Sequence, residues 1–231
     1  MHKQTMKSAV LSFASISLLL IISLYAVAIP SSNLVQGQET DRYSFPVNSS
    51  PYDISFKEWT QKWWQWYISI PKQHNPNFED AEGVKYEPKD CSYLQDPASP
   101  VFFVPYIMRE KGAFTTMTCN VPQNKSIMIG IDNGLMDCGD PIVQPKTVDT
   151  LEKIVKESNI FPNEFDITLD GNPLALTNEE KDRVLSEPFN ITEPKNNIWD
   201  EPPGTYLSVA DGWYLMLKPL PLGEHTLHYR I

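Results

Sequence analysis

The residues with the most chemistry to offer are acidic. Asp132, Asp137 and Asp140 lie close together and are interleaved with Asn133, Gly134 and Gly139. Such hard oxygen donors in turn-prone sequence suit Ca2+. Their spacing departs from the Asp-x-Asp/Asn-x-Asp/Asn-Gly order of a calcium loop, so an ordinary acidic turn is the competing reading. A second candidate set is Trp64, His74 and Asp80. An exposed Trp64 indole beside the polar run that holds His74 and Asp80 would stack on a sugar ring; the alternative is that Trp64 is buried, as tryptophan usually is. His74 and Asp80 are also the candidate catalytic pair, as acid or base, of a hydrolase working with loop carboxylates. His225 and His228 are three apart in a stretch that reads as a strand, which sends them to opposite faces, so an imidazole metal cage is not expected. Ca2+ is the one cofactor the sequence suggests.

Three cysteines in an exported chain make one disulfide and leave one thiol. Cys91 with Cys119 would tie a long loop to a strand, whereas Cys119 with Cys138 would close a tighter loop, and spacing alone leaves both open. No residue identifies itself as the base that would activate the leftover thiol. No Gly-x-Ser-x-Gly elbow, phosphate-binding glycine loop or His-Glu-x-x-His helix is present.

The elements that must position these residues begin with a helix. Ser55 to Pro71 carries four of the six tryptophans, Trp59, Trp63, Trp64 and Trp66. Ser55 and Glu58 have capping-box spacing, Ile54 and Trp59 sit where a hydrophobic staple closes, and Pro71 ends the run. Phe56, Trp59, Trp63, Trp66, Tyr67 and Ile70 share one core-facing stripe, with Trp64 and Ile68 off it. A second helix is predicted over Thr147–Asn159 from the spacing of Leu151, Ile154 and Val155.

Strand signals fill most of the remainder. They cover 101–104, 113–121, 126–131 and 165–169, the last turning at Asp170-Gly171 with Pro173 at a sheet edge. Thr205 to Ala210, Asp211-Gly212 and Trp213 to Lys218 read as a hairpin, followed by a strand over 224–231. Asp132-Asn133-Gly134 and the segment Asp137 to Pro141 read as loops. The expected fold is mainly β: an antiparallel sandwich, Ig-like or jelly-roll-like, with the Trp-rich helix packed on it and a second short helix.

Residues 1–28 have the layout of a signal peptide or membrane anchor: Lys3 and Lys7, an apolar run from Ala9 to Ala28, and the small-residue pattern Ala26-Val27-Ala28. Residues 29–52 read as a flexible linker, and 53–231 as one globular domain. This places the domain outside the cytoplasm, secreted or membrane-anchored, with the membrane a partner through the N-terminal segment if that is retained. Setting Lys3 and Lys7 aside leaves 17 basic against 29 acidic residues, a net of −12. Such a surface excludes nucleic acid as a partner. Sequons at Asn48, Asn124 and Asn190 matter only in a host that glycosylates exported protein.

Several motifs taken together carry a resemblance: Trp63-Trp64-Gln65-Trp66 leading into Ser69-Ile70-Pro71; Cys91-x-x-x-Gln95 ahead of Pro100-Val101-Phe102-Phe103; Cys119-Asn120-Val121-Pro122; and Ala210-Asp211-Gly212-Trp213-Tyr214-Leu215-Met216-Leu217-Lys218-Pro219-Leu220 with Gly223-Glu224-His225-Thr226. The set resembles a family of exported archaeal and bacterial proteins that brings no established activity with it. The resemblance spans most of Trp59 to Ile231 and implies a shared fold, export, and the Cys91 to Cys119 pairing. The acidic segment Thr147 to Asn159 is a departure from it. The leading functional expectation is a non-catalytic extracellular module that binds an envelope glycan or protein. The alternatives are a secreted hydrolase using loop carboxylates and His74, and a Ca2+-stabilised surface protein.

Overall fold

The computed structural model describes residues 42–75, 91–105, 116–158, 165–177 and 179–230. The leader and Asp80 lie outside them. Among the described residues no helix is long and apolar enough to cross a membrane.

The Trp-rich helix, α1, spans Phe56–Ser69, and the Ser55 side chain accepts from Glu58 N. Every residue of the expected stripe is buried, but so are Trp64 and Ile68, so the buried face is wider than one stripe. Buried indoles need partners for their N–H groups, and all four have them. Trp59 donates to Pro51 O at 3.0 Å, Trp63 to Val104 O at 3.0 Å, Trp64 to the Tyr214 hydroxyl at 2.7 Å and Trp66 to Tyr93 O at 2.9 Å. Trp63, fully buried, stacks on Tyr67 with ring centroids 5.1 Å apart. These bonds fix the helix in rotation as well as position, because each indole is tied to a different segment.

The helix lies on a five-stranded sheet. Strands β1 (Val101–Val104), β2 (Ser126–Asp137) and β7 (Gly204–Leu217) run side by side, and β5 (Val184–Leu185) and β6 (Phe189–Glu193) share the other edge of β7. β1 pairs with β2 in parallel, so this sheet is mixed where a wholly antiparallel one was expected. A second, antiparallel sheet of β3 (Asp166–Leu169), β4 (Asn172–Pro173) and β8 (Leu227–Arg230) packs on the opposite face, where Ile129, Ile131, Trp213 and Leu215 meet Ile167 and Leu169. The second helix, α2 (Val148–Ser158), covers the rest of that face through Leu151 and Val155 against Val209. The mainly β fold with two helices is therefore present, as layers about β7 and without closure of the sandwich.

Four further expectations change. Thr205 to Lys218 is not a hairpin: β7 runs through Asp211-Gly212 without turning. Asp132-Asn133-Gly134 is not a loop but part of β2, with a register irregularity between Gly130 and Asp132. Of the strand expected over 113–121, the described residues 116–121 carry no regular strand, and 113–115 lie outside the described residues. The described end of the expected linker is paired alongside β7, where Phe45 N donates to Met216 O and Lys218 N to Tyr43 O; residues 29–41 lie outside the described residues. Backbone pairing to β7 and burial of Phe45 and Val47 against the core outweigh the polar composition of the segment.

Cys91 and Cys119 are joined, and Cys138 is a free thiol. The bond closes a loop of 28 residues, worth about 3–4 kcal/mol in the chain-entropy account. The double variant Cys91→Ser/Cys119→Ser should lose about that much stability in urea denaturation, and a change below about 1 kcal/mol would show the loop to be restrained already without the bond.

Candidate metal centre

β6 reads Phe-Asn-Ile-Thr-Glu, and its alternation places Phe189, Ile191 and Glu193 inward with Asn190 and Thr192 exposed. Phe189 and Ile191 belong to the core beneath α1; the row then ends on a carboxylate. Glu193 is only 2% exposed, and neither of its oxygens has a hydrogen-bond partner among the described residues. A buried carboxylate left this way costs several kcal/mol unless it is neutralised or coordinated.

Two further carboxylates face it. Asp137 closes β2 opposite Ser208 of β7, while Glu193 closes β6 opposite Gly204 of the same strand, so two non-neighbouring strands deliver acids to one end of the sheet. Glu201 comes from the β6–β7 connection, with Oε2 buried and unpartnered. One oxygen from each of Asp137, Glu193 and Glu201 can be chosen so that all lie within 4.8 Å of one another. The positions are held by backbone. Gly139 N donates to Asp137 Oδ1, and Asn197, itself buried, organises the connection. Its Oδ1 accepts from Trp199 N and Glu201 N at 3.1 Å each, and its Nδ2 donates to Pro194 O and Glu201 O. Gly139 also leaves necessary space, since a Cβ there would sit 2.8 Å from Asp137 Oδ1 and 2.9 Å from Glu201 Oε2.

The electrostatics follow from burial first and mutual repulsion second. Burial, then the charges of Asp137 and Glu201, push Glu193 up to about 7. Burial also raises Asp137, although its backbone donors at Gly139 and Asp140 oppose this, and raises Glu201, with Asp137 and Asp140 adding to it. Lys146 offsets part of the negative field at Asp137 and Glu201. Three acids raised together form a site that wants a positive charge between them.

The donor set and its reach fit a hard cation. Three carboxylates supplied by the protein, with oxygens within 4.8 Å of one another, suit Ca2+, which takes many protein oxygens in a flexible shell, better than Mg2+, which keeps several of its waters. Beside the acids lies a cavity of about 340 Å3 lined by Leu135, Met136, Asp137, Asp140, Trp199 and Glu201.

Of the acids singled out in the sequence, Asp137 is in the cluster and Asp140 lines the cavity, its Oδ1 accepting from Ile142 N at 2.8 Å. Asp132 belongs elsewhere: it pairs in register with Trp213 in mid-strand and feels Arg183, so it is no ligand of this site. Trp64 is buried against Tyr214 and offers no stacking face. His74 is exposed and stacks on Tyr93 at 4.4 Å, and Asp80 lies outside the described residues. His225 hydrogen-bonds Asp170 through Nδ1 while His228 is exposed on β8, so the two do not share a site. Cys138 follows Asp137 directly, but burial raises its thiol, which disfavours the thiolate. The sequons Asn48, Asn124 and Asn190 are all exposed. Glu193, Glu201, Asn197 and Trp199 went unread in the sequence. The signal for Glu193 was an acid at the inward position of a period-two run, while Glu201, Asn197 and Trp199 had none that local pattern could supply.

The sequence matches no family model, and neither a curated protein nor a solved structure is significantly similar to it.

Proposed function

We propose that this chain is an exported module of the cell envelope that holds a divalent cation, Ca2+ by preference, between Asp137, Glu193 and Glu201 and uses it in non-catalytic binding. The observation that carries the reading is Glu193: a buried, unpartnered carboxylate facing two others. A cation satisfies all three at once, which a shared proton cannot do. Export is supported by the Cys91–Cys119 disulfide, a bond that persists in oxidising compartments, and by the leader-like N-terminus. The resemblance to exported archaeal and bacterial proteins points the same way.

A carboxylate hydrolase is the competing reading, and a raised Glu193 has the titration of a general acid. Such an acid must reach the bond it protonates. Both Glu193 oxygens are closed off from solvent and do not line the cavity, which favours coordination over proton transfer to a substrate. Isothermal titration of the purified protein with Ca2+ tests the proposal. Saturable binding at one site, lost in Asp137→Asn and Glu201→Gln, is expected. No heat of binding, together with a melting temperature unmoved by chelator, would remove the cation from the account.

A further inference from the structure

The cavity beside the acids is lined by two kinds of side chain, the carboxylates Asp137, Asp140 and Glu201 and the apolar Trp199, Leu135 and Met136. A bound divalent cation would offset only part of the charge of Asp137, Glu193, Glu201 and Asp140, so an anionic ligand meets a field that is still negative. Three carboxylates giving one oxygen each also leave a Ca2+ short of its six to eight oxygens, and two of them, Asp137 and Glu201, line the cavity. Neutral oxygens suit that field, and an adjacent pair on one ligand can complete two positions of the ion at once. The same ligand must present an apolar surface to Trp199, which is half-buried, its backbone N–H held by Asn197. A pyranose does both, with vicinal hydroxyls on its edge and C–H groups on its face. The volume, about 340 Å3, lies at the low end of small-ligand pockets and admits a sugar unit.

We propose that the ligand of this module is a neutral glycan, bound by a vicinal diol that completes the coordination of the cation held by Asp137, Glu193 and Glu201 while the ring stacks on Trp199. This rests on the cation reading above, and the test separates the two. The full chain is applied to an array of neutral and acidic glycans with Ca2+ or with EDTA, and titrated in solution with methyl α-D-mannopyranoside and methyl β-D-galactopyranoside. The expected result is binding to neutral glycans that EDTA abolishes, at least about tenfold weaker in Trp199→Ala and largely kept in Trp199→Tyr, as loss and retention of an aromatic contact predict. If Trp199→Ala does not fold, Trp199→Tyr and the EDTA arm still decide. Ca2+ binding by calorimetry with no neutral glycan retained overturns the glycan proposal and leaves the cation site standing. Binding only to acidic glycans, or glycan binding indifferent to EDTA, overturns it as well, and absence of Ca2+ binding removes both.

Discussion

Glu193→Gln should make the protein blind to Ca2+ and, without Ca2+, flatten the dependence of its stability on pH. Glu193 in the folded protein titrates at about 7, above its ordinary value of 4.5. The folded state therefore holds this proton more tightly than the unfolded chain does. The stability this contributes is complete below about 4.5 and is lost as pH rises through about 7. The loss is at most about 3 kcal/mol, and less to the extent that water reaching the cavity screens the neighbouring acids. Under the proposed cation site Ca2+ would act in the opposite sense, because it would bind the ionised acids. At a hundred times its dissociation constant it adds about 2.7 kcal/mol, roughly 5–10 °C in melting temperature for a domain of this size.

Two curves should therefore diverge. In EDTA the parent protein melts progressively lower from pH 5 to pH 8, and Ca2+ restores more at pH 8 than at pH 5. In Glu193→Gln the slope that Glu193 contributes in EDTA disappears and added Ca2+ does nothing. The amide leaves a buried polar group of its own, at a cost of about 1–3 kcal/mol, so the slope and the Ca2+ response are the informative quantities and the absolute stability is not. Calorimetric melts across this pH range decide it. A parent curve that ignores Ca2+ at pH 8, or a variant that keeps the full parental slope, would show that Glu193 is not the group responsible.

What could be read ahead of the structure was what local chemistry determines. Ser55, Glu58 and Pro71 bracket α1 because capping and the missing proline N–H are local effects, and the helix runs over Phe56–Ser69. Asp170-Gly171 turns β3 into β4 for the same reason, with Asp170 and Gly171 both at positive φ. The acid site is different in kind. Asp137 and Glu193 meet only because β2 and β6 flank opposite edges of β7, a pairing between segments far apart in sequence. Local pattern grouped Asp137, which lies in the cluster, with Asp132, which the ladder carries to mid-strand, since a glycine-bearing acidic run looks the same whether it turns or continues as a strand. Glu193 was hidden by its context: the run Asn190-Ile191-Thr192 reads first as a sequon, although Phe189 and Ile191 already mark the inward face on which Glu193 falls. Trp64 is the converse case. Off the main stripe, it was open to exposure or to cover by a second element, and it is covered, its indole N–H bonded to the Tyr214 hydroxyl of β7.

Gly212→Ala should be among the most damaging single substitutions in the chain, costing about 4 kcal/mol or more and, against a typical total of 5–15 kcal/mol, threatening the fold. The reason is where the glycine lies. In β7 it stands opposite Asn133 of β2, with φ at +138°, a backbone conformation that residues with a Cβ rarely adopt. A Cβ there would lie 2.4 Å from Asp132 O and 2.5 Å from Asn133 Cα, both backbone atoms that cannot swing aside. Asp-Gly in β7 and Asp-Asn-Gly in β2 each look like a turn, yet they face one another across a continuous ladder, so glycine here permits two strands to approach rather than one strand to reverse. Gly171 supplies the control, since it sits at φ +78° in the β3–β4 turn with nothing within 4 Å of its would-be Cβ. Gly171→Ala should cost only the left-handed penalty, about 1–2 kcal/mol. Urea denaturation of the two variants compares them directly. Equal, mild losses are what a hairpin at Asp211-Gly212 would give, and would break β7 in two; a Gly212→Ala loss well beyond that of Gly171→Ala is what close packing of β7 on β2 requires.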